Sequence, residues 1–580
     1  MLRVHILLIL AVALWLAGPT HAAADITLSV TTFAGRSVAS LVDGNTVRLH
    51  VAFSAPTSRS TDIVFHLDAV KQAIASCTIS RGAKACDTPE VRTLGWYWDD
   101  RGEPRPSLVL SAESAVDGQR ASMPIRIAPR PIVLVHGFMS DHRTWAAYTA
   151  PGGFLAPLGL KGFAVGDGNA EGQISSGDIT RPTSATKTLP ENAAALARYI
   201  TGVKKVTGAE MVDLVAHSMG GLLSRYYIDR LMRGREVAQL IMLGSPHGGS
   251  ECSALAAALG VLGPASLELR PAFMRQIFNR TVTRRNRVPF YMLAGDPIVE
   301  GFKAPCTGVP SDGVVSVESA SAIPGAVSHL PVLHTDMTRS AQVFSKFLLP
   351  HLQRRVGTFP SESDPQLSSE ASVPAQFTQV FTGHVDPGSA TEVEVHLDQV
   401  AIASFALFDP SRSLEVTVRG ASGQVIALSP QEHGLIKVDD PSSLLTLGYG
   451  FRNPRPGPWR VTLRAPPLLG TAFALSARVV GGAVLQARAS PLAPTRAQPV
   501  TLSAALDHPG KSLTDVSMRA VVRRPNGKSA ALDLQGNGVE RSAVWRASES
   551  GIHGIDIIAR AQAEGLRIER TTFLAVDVQP

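Results

Sequence analysis

The chain is poor in several features that would decide its class at once. It has four cysteines in 580 residues, too few for a scaffold built from disulfides. Neither Cys-x-x-Cys nor His-Glu-x-x-His occurs, so the commonest zinc-site spacings are missing. No three Lys or Arg residues stand side by side, and aromatic residues make up 6% of the chain. Without a basic patch interleaved with aromatics, the sequence does not read as nucleic-acid-binding. Charged residues reach only 18%, against 44% hydrophobic, which is the balance of a globular protein and not a disordered one. The formal charge of +7 and the pI near 9.3 are mild for this length. Such a charge could favour anionic membranes or cell-wall polymers, but it is more often simply a solvated face.

Long apolar runs are absent except at the start. Arg3 supplies a positive charge, Ile6–Leu16 is apolar, and Thr20-His21-Ala22-Ala23-Ala24 offers small residues for cleavage. The apolar stretch is short for a bilayer span. Residues 1–24 therefore read as a secretory signal peptide cut after Ala22 or Ala24, with a retained anchor as the alternative. No cysteine stands at the cut, which argues against a lipid-anchored start. The expectation is export: an extracellular, periplasmic or cell-surface location. All four cysteines lie in the exported part, where an oxidising space favours the pairs Cys77–Cys86 and Cys252–Cys306. Each bridge would contribute about 2–4 kcal/mol by loop closure.

The length suggests roughly three to five domains. Residues 25–128 alternate apolar and polar in short runs, such as Val47-Arg-Leu-His-Val51, and read as an N-terminal β-sandwich. The pattern changes at Pro131. Ile132–Val135, Met211–Val215, Leu240–Leu243 and Phe290–Leu293 are continuously apolar, as strands buried on both faces must be. Helical stretches lie between them, among them Glu191–Val206, with Pro190 suited to a helix start. Strand alternating with helix predicts a mostly parallel sheet with helices on both faces over 129–356. Residues 357–374, rich in Ser, Glu and Pro, read as a linker. Short alternating strands then return, giving a β-sandwich at 375–482 and a C-terminal Ig-like β-sandwich at 483–580, divided near Gly481-Gly482.

Within the α/β region one run carries chemistry. The strand Met211–Val215 meets Ala216-His217-Ser218-Met219-Gly220, and a helical pattern follows over Leu222–Leu231. A sharp strand-to-helix turn needs small residues two before and two after the serine, and Ala216 and Gly220 supply them. Ser218 is then lifted onto a helix N-terminus, where negative charge is stabilised. Small-x-Ser-x-Gly alone is weak, and a serine capping a helix would look similar; its surroundings give it weight.

Those surroundings are Val135-His-Gly-Phe138, Ala216-His-Ser-Met-Gly-Gly221, Gly244-Ser-Pro-His-Gly-Gly-Ser250 and Ser311-Asp-Gly-Val-Val315. Over roughly 129–350 they resemble the α/β-hydrolase superfamily, and within it secreted bacterial triacylglycerol lipases and esterases. Ala216 departs from the commoner glycine without touching the mechanism. The resemblance implies a carboxylic ester hydrolase whose acid and histidine follow the serine in that order. Ser218 is the nucleophile. Asp312 matches the acid segment, with Asp296, just after a strand, as the alternative acid. His334 lies in a loop before the last helical pattern, Met337–Leu349, and is the base, with His329 as its rival. The oxyanion hole would use the N–H groups of Met219 and Phe138. Some such lipases hold a structural calcium beside the histidine, which would make Asp336 a ligand, with Asp296 a second carboxylate. Otherwise Asp336 or Thr335 caps the last helix. No cofactor is required by the chemistry. The Ala- and Leu-rich stretch from Gly248 to Arg287 reads as a lid or as helical cover.

The expected substrate is a fatty-acyl ester. A polyester or a cell-envelope lipid is the alternative, with the β domains making polymer or membrane-surface contacts as binding modules. An adhesion protein with an inactive hydrolase domain is the reading from another class. The complete set of motifs counts against it.

Overall fold

The computed structural model describes residues 26–580, apart from 33–34, 69, 179–180, 182–183, 259–262, 361–362, 365–374 and 438–444. The expected signal peptide at 1–24 lies outside the described residues, as does most of the expected linker at 357–374. Among the described residues no helix is long and apolar enough to cross a membrane.

The apolar runs of the middle region become a six-stranded sheet. Its strands are β1 (Ile132–Val135), β2 (Gly162–Ala164), β3 (Val212–His217), β4 (Val237–Leu243), β5 (Phe290–Gly295) and β6 (Val327–Leu330). All are parallel, in the order β2-β1-β3-β4-β5-β6. The expected runs are β1, β3, β4 and β5. β2 is short and β6 has partly exposed faces, so neither leaves an apolar signature. Alternate side chains feed opposite layers, as a pleated strand requires. Ile132, Leu134, Val215 and Ile241 pack with Met337, Val343 and Phe347 on one side. Val133, Val135, Leu214 and Met242 pack with Leu196, Tyr199 and Ile200 on the other.

The last three belong to α1 (Leu189–Thr207). Thr188 accepts the Glu191 N–H at 3.3 Å while Glu191 Oε2 accepts the Thr188 N–H at 2.9 Å, a reciprocal cap. Pro190 sits at the second helical position, and the helix stops at Gly208 with φ 70°. α2 (Met219–Tyr226) starts directly after β3. The last helical stretch, expected to begin at Met337, begins instead at Ala341 and runs to Leu352. Ser340 caps it, accepting the Val343 N–H at 3.3 Å, so neither Asp336 nor Thr335 does. From β1 the chain steps to β2 on one side and then crosses to β3 on the other. The crevice beyond the carboxyl ends of β1 and β3 is thus the point where sheets of this kind bind ligands.

Residues 26–128 form two facing antiparallel-rich sheets around Val30, Leu49, Phe65 and Leu110. Cys77–Cys86 ties a strand of one sheet to a strand of the other. This unit is clamped to the central sheet by a buried charge cluster. Arg130 donates to both Asp213 oxygens, at 3.2 and 3.1 Å, and also to Asp43. Asp43 takes the Gly95 and Tyr97 N–H groups as well, at 3.0 and 2.9 Å.

After residue 375 two apolar cores appear, one around Phe405, Tyr449 and Val461 and one around Val500, Leu502 and Ile557. They are not closed off from each other at Gly481-Gly482. A ten-stranded sheet runs through both. Its bridge is the two-residue strand Gln376–Phe377, which pairs with Thr471–Val480 on one side and Leu566–Val578 on the other. Gly481 and Gly482 form only a left-handed turn between strands, and Arg570 meets Asp398 across that turn at 2.6 Å.

Removing the guanidinium between Asp43 and Asp213 strands two buried carboxylates. Arg130→Ala is expected to lower stability by about 3–5 kcal/mol, read as a shift in the urea midpoint.

Candidate active site

β3 is buried along its whole length and ends at His217. Ser218 follows at φ 54°, ψ −128°, a conformation that L-residues rarely adopt. Its N–H donates to the Leu243 carbonyl at 2.9 Å, and its own carbonyl accepts the Gly221 N–H at 3.0 Å. Space enforces the small neighbours. A Cβ on Gly220 would stand 2.5 Å from the Val135 carbonyl oxygen, and one on Gly137 would stand 2.7 Å from Ser218 Cβ. The loop after β1 therefore lies directly against the serine.

Phe138 and Met219 flank that contact. Among the described residues neither N–H finds a hydrogen-bond acceptor, whereas the Met139 N–H donates to Ser176 and the Gly221 N–H to Ser218. Two free backbone donors beside a serine at a helix N-terminus can hold developing negative charge.

The structure brings His334 and Asp312 together. His334 Nδ1 lies 2.8 Å from Asp312 Oδ2, and both residues are buried. The other carboxylate oxygen accepts the Val314 and Val315 N–H groups at 2.9 and 2.7 Å, and the His334 N–H donates to the Asp312 carbonyl at 3.0 Å. A carboxylate held this way fixes which ring nitrogen of the histidine carries the hydrogen. Glycines at the ends of β4 and β5 make room for the pair. A Cβ on Gly244 would stand 3.0 Å from Asp312 Oδ2 and 3.1 Å from His334 Nδ1, and one on Gly295 would stand 2.7 Å from Asp312 Cβ.

The rival residues meet each other elsewhere. Asp296 and His329 lie 3.6 Å apart in partly exposed positions. Both aspartates follow β5, but Asp312 alone contacts His334. Asp336, the expected calcium ligand, pairs with Arg339 at 3.0 Å. Among the described residues no group of three or more His, Cys, Asp or Glu is arranged to hold a metal.

Two features carried no sequence signal. His217 Nε2 lies 2.9 Å from the His334 carbonyl oxygen, joining residues 117 apart in the chain. The second is a roof. Met139, Cys252 and Cys306 pack with Phe377, Ala406, Phe408 and Ala474 of the ten-stranded sheet, and Phe138 and Phe573 lean on the same cluster. The Cys252–Cys306 bridge ties the expected lid segment to the stretch before Asp312. Further along that segment, Arg270 is fully buried and meets Asp556 at 2.8 Å. A Cβ on Gly554 would press on Leu267 at 2.7 Å. The described helices of 251–281 are held between the central sheet and the C-terminal strands, as cover. His247 belongs to a buried network behind α2, with Arg225 at 3.2 Å and Asn279 donating to its carbonyl at 2.7 Å. Burial, reinforced by that arginine, holds His247 well below the ordinary histidine range.

Known proteins resemble this chain in parts. A family model described as palmitoyl protein thioesterase matches residues 131–288. Triacylglycerol lipase 2 of Saccharomyces cerevisiae is 27% identical over 168 residues, covering 24% of this chain and 51% of that protein. The chain thus spans about half the length of that relative. The crystal structure of Bacillus licheniformis lipase BlEst2 in its propeptide form aligns with 78% of this chain and 94% of its own, at 17% identity and a TM-score of 0.50. The mature form of the same lipase aligns with 39% of this chain and 92% of its own, at 22% identity and a TM-score of 0.30. The parallel-sheet region of this chain has an α/β-hydrolase fold set among all-β units, and part of its sequence is similar to a triacylglycerol lipase.

Proposed function

We propose that the protein is an exported serine hydrolase that cleaves carboxylic ester bonds of lipids. The observation that carries this reading is that these groups stand at neighbouring strand ends. A strained Ser218 and two free backbone N–H groups meet at the carboxyl ends of β1 and β3, and the buried His334–Asp312 pair stands at the ends of the neighbouring strands. In this reading Ser218 Oγ attacks the ester carbonyl carbon while His334 Nε2 takes its proton. The oxyanion rests on the N–H groups of Phe138 and Met219. Collapse breaks the bond to the alcohol, which leaves with the proton from His334, and an acyl-Ser218 remains. Water, deprotonated by His334, attacks that acyl group; the acid leaves and the serine regains its proton. Asp312 holds the ring and stabilises the imidazolium. Export rests on residues 1–24.

A second reading, hydrolysis of fatty-acyl thioesters, is favoured by the family model that covers 131–288. It uses the same steps with a thiol leaving group.

A fluorophosphonate probe is expected to label the wild-type chain and not Ser218→Ala; failure to label either would sink the hydrolase reading. Asp312→Asn should keep the fold and lower kcat by about 10⁴-fold, as loss of the orienting carboxylate does in Ser-His-Asp enzymes, measured on a p-nitrophenyl ester. Gly137→Ala should displace Ser218 and cost about 10²-fold or more in kcat/KM, measured on the same ester. A series of p-nitrophenyl esters of rising chain length, a triglyceride emulsion, a polyester film and acyl thioesters separates the substrate classes. Activity confined to short soluble esters would exclude the lipid reading while leaving the esterase one.

A further inference from the structure

We propose that His217 is a positioning residue that sets the reach of the His334 imidazole toward Ser218 by holding the His334 backbone. The proposal rests on the Ser218–His334–Asp312 reading above.

The His334 carbonyl oxygen can only accept, so His217 Nε2, 2.9 Å away, must carry the hydrogen. The lone pair then sits on Nδ1, which is buried and, among the described residues, has no partner. Burying an orphaned nitrogen is costly, and an apolar ring of the same size would avoid that cost. The imidazole is explained by the one bond it makes. That bond completes a set of three on the base. Asp312 Oδ2 takes the ring hydrogen on Nδ1 at 2.8 Å, the Asp312 carbonyl takes the backbone N–H at 3.0 Å, and His217 donates to the carbonyl. The first two place His334 relative to the acid. Only the third ties it to the chain that carries the nucleophile, one residue away.

The charge state suits the task. Burial first, then the neighbouring His334, keep His217 well below the ordinary histidine range. The two rings lie 4.6 Å apart between centroids. A neutral His217 therefore adds no charge beside the imidazolium that forms on His334 during reaction. The groups facing it are His334 and the buried His136, itself lowered to about 4 by burial. The link is short and stiff. His217 ends a fully buried strand, and Ser218 is locked to Leu243 next door.

The test uses the full chain and a soluble p-nitrophenyl ester. Fluorophosphonate titration counts reactive serines in each preparation, so misfolded protein does not enter the rate per site. His217→Phe removes the donor and keeps the bulk; His217→Gln and His217→Asn restore a donor. His217→Phe should lower kcat per titrated site by about 10- to 100-fold with KM changed less than about twofold, because the base is misplaced and the binding surface is not. His217→Gln or His217→Asn should recover most of the loss. A His217→Phe rate per site within about twofold of wild type overturns the proposal, as does a loss carried by KM alone. Glutamine and asparagine no better than phenylalanine also overturn it. Should His217→Phe yield no titratable enzyme, His217→Met against His217→Gln decides the same question. If the wild type itself is not labelled, the serine-hydrolase reading fails and takes this proposal with it.

Discussion

One backbone conformation at Ser218 governs the surroundings of the site. Positive φ at a serine costs about 1–3 kcal/mol and persists only when the neighbourhood over-determines it. Here that neighbourhood is the ends of four parallel strands. Leu243 at the end of β4 takes the serine N–H, Gly137 after β1 touches its Cβ, and Gly220 fits under the carbonyls that close β1. Gly244 and Gly295 repeat the device at β4 and β5, leaving room for His334 and Asp312. A side chain at any of these positions would push one strand end away from the next.

The local part of this was readable from the residues. A small-x-Ser-x-Gly turn between a buried strand and a helix is specified within ten positions, and its place at the crossover followed. The choice between Asp312 and Asp296 was not local. Both follow β5, and only the fold shows that Asp312 turns inward to His334 while Asp296 stays with His329 at the rim. The cap of the last helix moved from Asp336 to Ser340 because Asp336 is engaged by Arg339. His217 was invisible because its partner lies 117 residues away. The strand Gln376–Phe377 was missed because two residues show no periodicity, yet they join the two C-terminal cores.

Three buried arginines stand where the units of the chain meet. Arg130 links Asp43 of the N-terminal unit to Asp213 of β3, Arg270 links the helical cover to Asp556, and Arg570 links the last strand to Asp398. Buried ion pairs add little net stability over apolar packing, but a mismatched one is heavily penalised. Breaking any of these pairs from one side would leave a buried charge without its partner at a junction.

The ten-stranded sheet has a consequence for dividing the chain. A gene segment that ends between two closed sandwiches can be copied, lost or fused elsewhere with its edges already covered. At Gly481-Gly482 the two cores stay joined through Gln376–Phe377, and a cut there would part Phe377 from Thr571. Exposed edges of that kind invite pairing with other chains. Parting the two C-terminal cores at that turn would therefore expose both partners of the pairing. Phe377, Phe408 and Ala474 of the same sheet rest on Met139, so a disturbance of that sheet would be felt in the loop beside Ser218.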